Sequence, residues 1–250
     1  MDQIIAIGEN YRYIGDIKPL KSYTSAKLVT SINLHGNSIT KISHLDSCYS
    51  LADLDLSSNQ ISVIEGVESC EGLTRLNLSC NLLTRLSGLN FLYNLVTLNL
   101  SYNKIDNIKN LAHFSGDQFH LENLLLHGNQ LRSVPLTTAT LKKISTLKSL
   151  TVHSNPLCDN KSYRRVITNC MPGLVTIDEC EIKEESFSSV STEITQPVQT
   201  PATDKALHHY QHPDLSPQRD CFITSSESEI AQPAVDYTEL VKQVNQRLHV

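Results

Sequence analysis

Three stretches of this sequence share one apolar pattern. Residues 51–61 read LADLDLSSNQI, residues 73–83 read LTRLNLSCNLL, and residues 95–105 read LVTLNLSYNKI. Further copies begin at Val29, Leu121 and Leu147. Numbered within each copy, positions 1, 4, 6 and 11 are apolar and position 9 is asparagine. Self-similarity at a fixed period is typical of a solenoid, in which stacked repeats bury one continuous core.

The asparagine at position 9 defines the period, with spacings of 22, 22, 22, 26 and 26 residues. Positions 4 and 6 are two residues apart, so on a short strand both side chains point into the core. Position 9 must then turn the chain, and an asparagine amide can bond to backbone groups that the turn leaves without partners. The sequence therefore predicts a buried ladder formed by Asn37, Asn59, Asn81, Asn103, Asn129 and Asn155.

The repeats predict an α/β fold: a right-handed leucine-rich-repeat solenoid with a parallel, concave β-sheet. Short helices or 3₁₀ turns are expected on the convex side, including a helix over residues 139–146. We assign residues 1–27 to an N-terminal cap, 28–157 to six repeats, and 158–182 to a C-terminal cap with a helix over residues 160–170. Residues 183–235 are rich in Ser, Thr, Gln and Pro, which indicates a disordered linker. Residues 236–250 are predicted to form a short helix or the start of a coiled coil.

Charge and composition exclude several classes of partner. The net charge is −5, and it resides in residues 183–250, which hold ten acidic and five basic side chains. Nucleic-acid binding requires a basic excess, so we expect no nucleic-acid partner. Neither a signal peptide nor an apolar run of membrane-spanning length is present, so we expect no membrane association. Seven cysteines without paired spacing fit a reducing compartment, and we expect a cytoplasmic protein.

The outward positions of the predicted strands form the candidate binding surface. Most of these side chains are small and polar, but interface energy concentrates in large or guanidinium side chains. Arg75, Tyr102 and Leu125 are therefore the predicted anchors, with Asp55 beside Arg75 as its charged partner. The full predicted partner-binding set is Arg75, Tyr102, Leu125, Asp53, Asp55, Asn77, Asn99 and His127.

No catalytic or metal-binding pattern accompanies this surface. His127 and His153 share position 7 on neighbouring repeats, but no carboxylate or thiolate column completes a set of four ligands. Cys80 has no base on an adjacent strand, and a shallow sheet has no oxyanion pocket. Cys48 and Cys70 occupy a column that holds Leu and Phe elsewhere, so they are predicted to be buried hydrophobes. We expect no metal, no cofactor and no enzymatic activity.

The repeats at residues 54–61, 76–83 and 98–103 resemble the 22-residue-repeat class of leucine-rich-repeat proteins typified by the protein phosphatase 1 regulator. Within that class they are most similar to the leucine-rich-repeat and coiled-coil centrosomal family. The segment with Asn155-Pro156, Tyr163-Arg164, Pro172, Leu174 and Asp178 is similar to the cap of that class. The resemblance covers residues 28–180. It implies a scaffold at centrioles and spindle poles that supports centrosome integrity and the mitotic spindle.

Other functions within the same class stay open at this point. One is a regulatory subunit that grips a phosphatase catalytic subunit along the concave face, for which only Asp53, Asp55 and Tyr102 supply acidic or aromatic contacts. Another is an axonemal or ciliary adaptor, and tubulin-folding cofactors belong to the class as well. A spliceosomal role is disfavoured by the neutral repeats and the acidic tail. Self-association is open, because the centrosomal family carries a long coiled coil of which residues 236–250 would be only the beginning.

Overall fold

The computed structural model describes residues 3–17, 20 and 26–182, so the linker and the C-terminal helix predicted for residues 183–250 lie outside the described residues. Within that part of the chain, nine short strands form one sheet in the order of the sequence. Strands β1 to β8 are parallel, and β9 pairs antiparallel with β8. The strands are β1 (Gln3–Ile5), β2 (Ser31–Asn33), β3 (Asp53–Asp55), β4 (Arg75–Asn77), β5 (Thr97–Asn99), β6 (Asn123–Leu125), β7 (Ser149–Thr151), β8 (Thr176–Ile177) and β9 (Cys180–Glu181).

The predicted fold class is confirmed, because each repeat places positions 3 to 5 of the pattern on one strand of an open parallel sheet. Position 4 forms a single buried column in which Leu54 lies opposite Leu76 and Leu76 opposite Leu98. Position 6 is buried in the same way, as Leu56 and Leu78 show. Each repeat therefore contributes apolar side chains to a core that runs the length of the sheet.

The turn after each strand passes through the left-handed region of backbone conformation. Position 8 has a positive φ in all six repeats, although glycine occupies it in only two of them. The angles are +70° at Gly36, +55° at Ser58, +54° at Cys80, +53° at Tyr102, +68° at Gly128 and +55° at Ser154. Residues other than glycine adopt this region at a cost, so another interaction must hold the turn in place.

The asparagine at position 9 supplies that interaction. The Oδ1 atom of Asn59 accepts a hydrogen bond from the backbone N–H of Ile39 in the preceding repeat, at 2.9 Å. Its Nδ2 donates to the carbonyl of Leu34 in the preceding repeat and to that of Leu56 in its own, each at 3.0 Å. The same double attachment recurs at each of the six asparagines, from Asn37 to Asn155. Each side chain therefore joins two successive repeats.

Return-segment length determines where helices form in the repeats. The 22-residue repeats return through turns, whereas the longer fourth and fifth repeats hold a 3₁₀ helix, Lys109–Phe114, and an α-helix, α1 (Val134–Leu141). The predicted helix over residues 139–146 is wrong in its position. Helix α1 begins earlier because Ser133 Oγ accepts a hydrogen bond from the N–H of Leu136 at 3.3 Å and Pro135 suits the first turn.

The N-terminal segment is a partial repeat. Strand β1 pairs with β2 in the register that joins the repeats, so Ile4 lies opposite Ile32. Gly8 takes the left-handed conformation, with φ +68°, where Gly36 stands in the first full repeat. Glu9 then occupies the place of the ladder asparagine, which is why the pattern did not predict this strand. A 3₁₀ helix, Ile14–Asp16, follows, and Ile14 is fully buried.

A buried carboxylate closes the other end of the sheet. After a 3₁₀ helix, Pro156–Asp159, helix α2 (Tyr163–Cys170) begins later than the predicted residue 160. Asp178 Oδ1 accepts hydrogen bonds from the N–H groups of Val152 and His153, at 2.7 and 2.8 Å. Its Oδ2 accepts from Tyr163 Oη at 2.7 Å and from Arg164 Nε at 3.2 Å. The carboxylate thus accepts hydrogen bonds from N–H groups at the end of the last repeat, where the pattern supplies no further repeat to accept them.

These contacts change the pKa of Asp178, whose side chain is 1% exposed. Burial raises the pKa, but the hydrogen bonds from Tyr163, Val152 and His153 and the charge of Arg164 outweigh burial and lower it below its ordinary value. Burial also raises the pKa of two thiols, to about 11 at Cys48 and to about 12 at Cys70. Both cysteines are fully buried, so they act as the hydrophobes that their column predicted.

We predict that Asn81→Ala lowers the free energy of unfolding by about 1–3 kcal/mol, because it leaves buried backbone groups of two repeats without partners. Urea denaturation of the full chain measures this loss. The control is Asn90→Ala, at an exposed site in the return segment, which should change the free energy by less than about 0.5 kcal/mol. Equal losses in the two variants would show that the ladder is not a main source of stability.

We further predict a pH-dependent loss of stability in Asp178→Asn. A carboxyl group whose folded-state pKa is depressed stabilises the fold above its ordinary pKa and loses that contribution as the pH falls through the lowered value. The wild type should therefore exceed the variant by about 2 kcal/mol at neutral pH. This difference should shrink as the pH falls below the ordinary value of 3.8. Urea denaturation across the pH range tests it, with the exposed Asp159→Asn as the control; a difference that is independent of pH would contradict the assignment.

Candidate protein-binding surface

The open face of the sheet presents two outward columns of side chains, at positions 3 and 5 of the repeats. Neighbouring parallel strands lie about 4.8 Å apart, so each column is a continuous row of side chains. Position 3 holds Ser31, Asp53, Arg75, Thr97, Asn123 and Ser149, and position 5 holds Asn33, Asp55, Asn77, Asn99, Leu125 and Thr151. Six of the eight predicted binding residues lie in these rows on β3 to β6, whereas Tyr102 and His127 lie in the turns that follow β5 and β6.

Arg75 pairs with Asp53, so the predicted pairing with Asp55 is wrong. Both the Nη2 and the Nε atoms of Arg75 donate to Asp53 Oδ2, the latter at 3.1 Å. The parallel register is the reason, because it sets Asp53 opposite Arg75 and Asp55 opposite Asn77. The Arg75 side chain is 65% exposed, so the ion pair contributes little to stability and the guanidinium stays accessible on the face.

Asp55, Asn77 and Asn99 share one local arrangement at position 5. Each accepts hydrogen bonds from the backbone N–H and the hydroxyl of the serine two residues later. At Asn77, the distances from Oδ1 to the nitrogen and hydroxyl oxygen of Ser79 are 3.1 and 2.8 Å. Asn77 Nδ2 also donates to Asp55 Oδ2 at 3.2 Å. These side chains are therefore held in place and make the polar surface rigid.

Tyr102 is the most unusual residue of the surface. Its side chain is 52% exposed, and its φ of +53° places a bulky residue where other repeats carry Gly, Ser or Cys. The ring packs edge-on against His127, with centroids 5.0 Å apart. A Cβ atom on Gly128 would lie 2.6 Å from Tyr102 Cδ1, so only glycine leaves room for the ring. Backbone strain of this kind concentrates at functional sites.

His127 extends the aromatic surface towards the C-terminal end of the sheet. Its ring stacks on His153 with centroids 4.6 Å apart and an interplanar angle of 14°. Its Nδ1 lies 2.9 Å from Thr151 Oγ1. Burial and the neighbouring His153 lower the pKa of His127, against the opposing influence of Glu179 and Asp178. The lowered pKa favours the uncharged imidazole, which can stack on a second imidazole without charge repulsion.

Leu125 lies half-buried on β6, within the otherwise polar row at position 5. The sequence identified it by its apolar character, but it did not identify the role of Gly128 in seating Tyr102. The signal was present, because glycine at position 8 directly follows the repeat that has tyrosine there. A glycine without a side chain carries no chemistry of its own, so its function shows only once the neighbouring ring is placed.

Other kinds of site find no support in the described residues. No group of three His, Cys, Asp or Glu side chains among them is arranged to hold a metal ion. None of the helices in the same residues is both long and apolar enough to cross a bilayer. The arrangement instead offers a face with an exposed arginine, an exposed tyrosine and a half-buried leucine, and arginine and tyrosine are enriched among the residues that carry interface energy.

We predict that Gly128→Ala displaces the Tyr102 ring, whereas Gly36→Ala, at the same position of the first repeat, does not. Both glycines have positive φ, so each variant should lose about 1 kcal/mol of stability from backbone strain. Only at Gly128 does the new Cβ meet a ring, since at Gly36 the nearest atom lies at 3.8 Å. NMR signals of the Tyr102 ring measure the displacement, and unchanged signals in Gly128→Ala would contradict this packing.

Solved structures with a similar fold include two from different organisms. An internalin (InlF) from Listeria monocytogenes has a TM-score of 0.55 and 22% sequence identity, over 73% of this chain and 48% of the internalin. This chain therefore spans about half the length of that structure, and the likeness shows the fold. A chain of the Drosophila melanogaster SNF/U2A′ complex has a TM-score of 0.48 and 25% identity, over 52% of this chain and 74% of its own length.

Comparison with protein families gives one match that covers more than half of the 250 residues. No curated protein matches the sequence. The leucine-rich repeat family matches residues 31–194, which include β2 to β9 and the helices α1 and α2. Repeats of this kind generally mediate protein–protein binding, and proteins built from them are typically non-catalytic binding scaffolds. The chain belongs to the leucine-rich repeat family.

Proposed function

We propose that this chain is a non-catalytic adaptor that binds a partner protein through its concave face, with Arg75, Tyr102 and Leu125 as the anchors. The observation that carries the proposal is Tyr102, an exposed aromatic side chain on a left-handed backbone. Gly, Ser or Cys at this position would fold with less strain and expose less apolar area. The strain has a function if the ring is the contact that a partner requires.

The packing around Tyr102 favours tight binding. His127 and the backbone of Gly128, both in the next repeat, pack against the ring before any partner arrives. A restrained side chain loses little conformational entropy on binding, so more of the contact energy appears as affinity. Tyrosine and arginine are also the residue types that dominate measured interface energies.

We place this adaptor in the cytoplasm at the centrosome or centriole, where it supports centrosome integrity and mitotic spindle organisation. The support is the resemblance of the 22-residue repeats and of the cap around Tyr163, Arg164 and Asp178 to the centrosomal leucine-rich-repeat family. The partner is then a centrosomal or cytoskeletal protein. An axonemal or ciliary adaptor would use the same face and is one outcome of the experiment below.

A regulatory subunit for a phosphatase is the second candidate, since Asp53, Asp55 and Tyr102 lie on one face. The two carboxylates are already engaged within the chain, Asp53 by Arg75 and Asp55 by Ser57. A partner that depends on acidic contacts would have to displace these bonds. The adaptor function is favoured for this reason, because Tyr102 and Leu125, two of its three proposed anchors, can contact a partner without displacing such bonds.

We predict that Tyr102→Ser removes partner binding while the fold keeps or gains stability. Serine occupies the same left-handed position as Ser58 and Ser154, so the change relieves strain without leaving a cavity. The full chain is used to capture proteins from an extract of dividing cells, beside a triple variant that adds Arg75→Ala and Leu125→Ala. Mass spectrometry identifies the captured proteins, and urea denaturation measures stability.

The matched control changes Val63→Ser, which removes an exposed apolar side chain from a return segment. Recovery of centrosomal proteins by the wild type and by Val63→Ser, but not by the triple variant, supports the adaptor. If the wild type and Val63→Ser instead recover a phosphatase catalytic subunit or axonemal proteins, and the triple variant does not, the corresponding alternative is supported. If the triple variant captures the same proteins as the wild type, the binding site is not on this face.

A further inference from the structure

The return segments of the first, second and third repeats form an open cleft that the proposed function does not use. Tyr49, Glu68, Ser69, Glu71 and Phe91 line it, and its volume is about 390 Å³. The repeat positions explain why these residues meet. Tyr49 and Glu71 occupy position 21 of successive repeats, and Ser69 and Phe91 occupy position 19. We call this feature the aromatic–acidic cleft.

Two aromatic rings of the cleft are exposed without an apparent role in folding. The side chain of Tyr49 is 54% exposed and that of Phe91 is 51% exposed. Neither ring stacks on another ring in the described part of the chain, whereas the nearby Tyr93 stacks on Phe119 at 5.3 Å. Serine stands in the place of Phe91 in the two preceding repeats, so the fold itself does not need an aromatic side chain there.

The charge around the cleft has one sign. Residues 43–50, 65–72 and 87–94 hold Asp46, Glu65, Glu68 and Glu71 and contain no lysine or arginine. Glu65 forms an ion pair with Lys41 at 3.2 Å. Neither Glu68 nor Glu71 has an ion-pair partner among the residues that the structure describes. Within the described residues, two carboxylates that form no ion pair therefore flank two exposed rings.

We propose that the aromatic–acidic cleft binds an arginine side chain of a basic segment in a partner protein. A guanidinium group is planar, so it stacks on tyrosine and phenylalanine rings. Two of its N–H groups can also donate hydrogen bonds to one carboxylate at the same time. Lysine offers a compact charge that is more strongly hydrated and cannot stack in this way. The combination of rings and carboxylates in one cleft thus matches arginine on both counts.

The occupant is a separate protein and not the remainder of this chain. Residues 183–250 hold ten acidic and five basic side chains, so like charge opposes their approach to Glu68 and Glu71. A basic segment of another protein has the complementary charge. The cleft shares no residue with the concave anchors Arg75, Tyr102 and Leu125. The two proposed contact surfaces can therefore be tested separately, and one proposal can be wrong while the other holds.

Titration of the full chain with a short arginine peptide tests the proposal, and the same peptide with citrulline in place of arginine is the control ligand. Citrulline keeps the shape of arginine but lacks its charge. The ring signals of Tyr49 and Phe91 in NMR spectra should shift saturably with the arginine peptide and not with the citrulline peptide. Affinity should fall as the salt concentration rises, because the carboxylates are exposed. Equal shifts with both peptides, or no saturable shift, would overturn the proposal.

Two variants and two matched controls locate the contact. Phe91→Ser, and Glu68→Gln combined with Glu71→Gln, should each weaken arginine binding by roughly three- to tenfold. Val63→Ser removes an exposed apolar side chain outside the cleft, and Glu65→Gln removes an acid that is already paired, so both should bind as the wild type does. If Glu65→Gln weakens arginine binding equally, the binding reflects general charge attraction and the proposed site is wrong. Tighter binding of a lysine peptide would contradict the assignment to arginine. All four variants should capture the concave-face partner normally.

Discussion

The asparagine at position 9 is the contact on which the rest of this structure depends. It accepts one backbone hydrogen bond from the preceding repeat and donates to carbonyls of both repeats, as Asn59 does with Ile39, Leu34 and Leu56. These bonds hold the preceding residue in the left-handed conformation, even where that residue is Tyr102 or Cys80. The ladder thereby keeps the strands in register, and the register decides which side chains meet on the open face.

The pairing of Arg75 with Asp53 illustrates this dependence. The two residues share position 3 of successive repeats, so a parallel sheet without register shift must bring them together. The same register aligns Asp55 with Asn77 and brings Tyr102 beside His127 and Gly128. In this sheet a side chain on the open face therefore has neighbours about 22 or 26 residues away in the sequence, in addition to those in its own repeat.

Apolar periodicity was sufficient to predict the parallel sheet, the buried columns at positions 4 and 6, and the burial of Cys48 and Cys70. It was not sufficient where a residue type departs from the pattern. The pattern does not predict strand β1 because Glu9 stands in the place of an asparagine. Helix α1 begins earlier than predicted because Ser133 caps it. It was harder still to predict which aspartate pairs with Arg75. Asp53 and Asp55 are the same residue type, and only the register of the strands distinguishes them. The aromatic–acidic cleft was missed because its residues come from three return segments whose relative placement depends on how the repeats stack.

Site-specific crosslinking measures the central claim, that a partner contacts Tyr102, most directly. A photoreactive phenylalanine analogue at residue 102 of the full chain, activated in dividing cells, reports whichever protein touches that ring. The matched position is Leu136 on helix α1, whose side chain is 70% exposed and lies on the convex side. Binding through the concave face predicts one discrete adduct from residue 102, with a centrosomal protein, and none from residue 136. Adducts from residue 136 with none from residue 102 would contradict it.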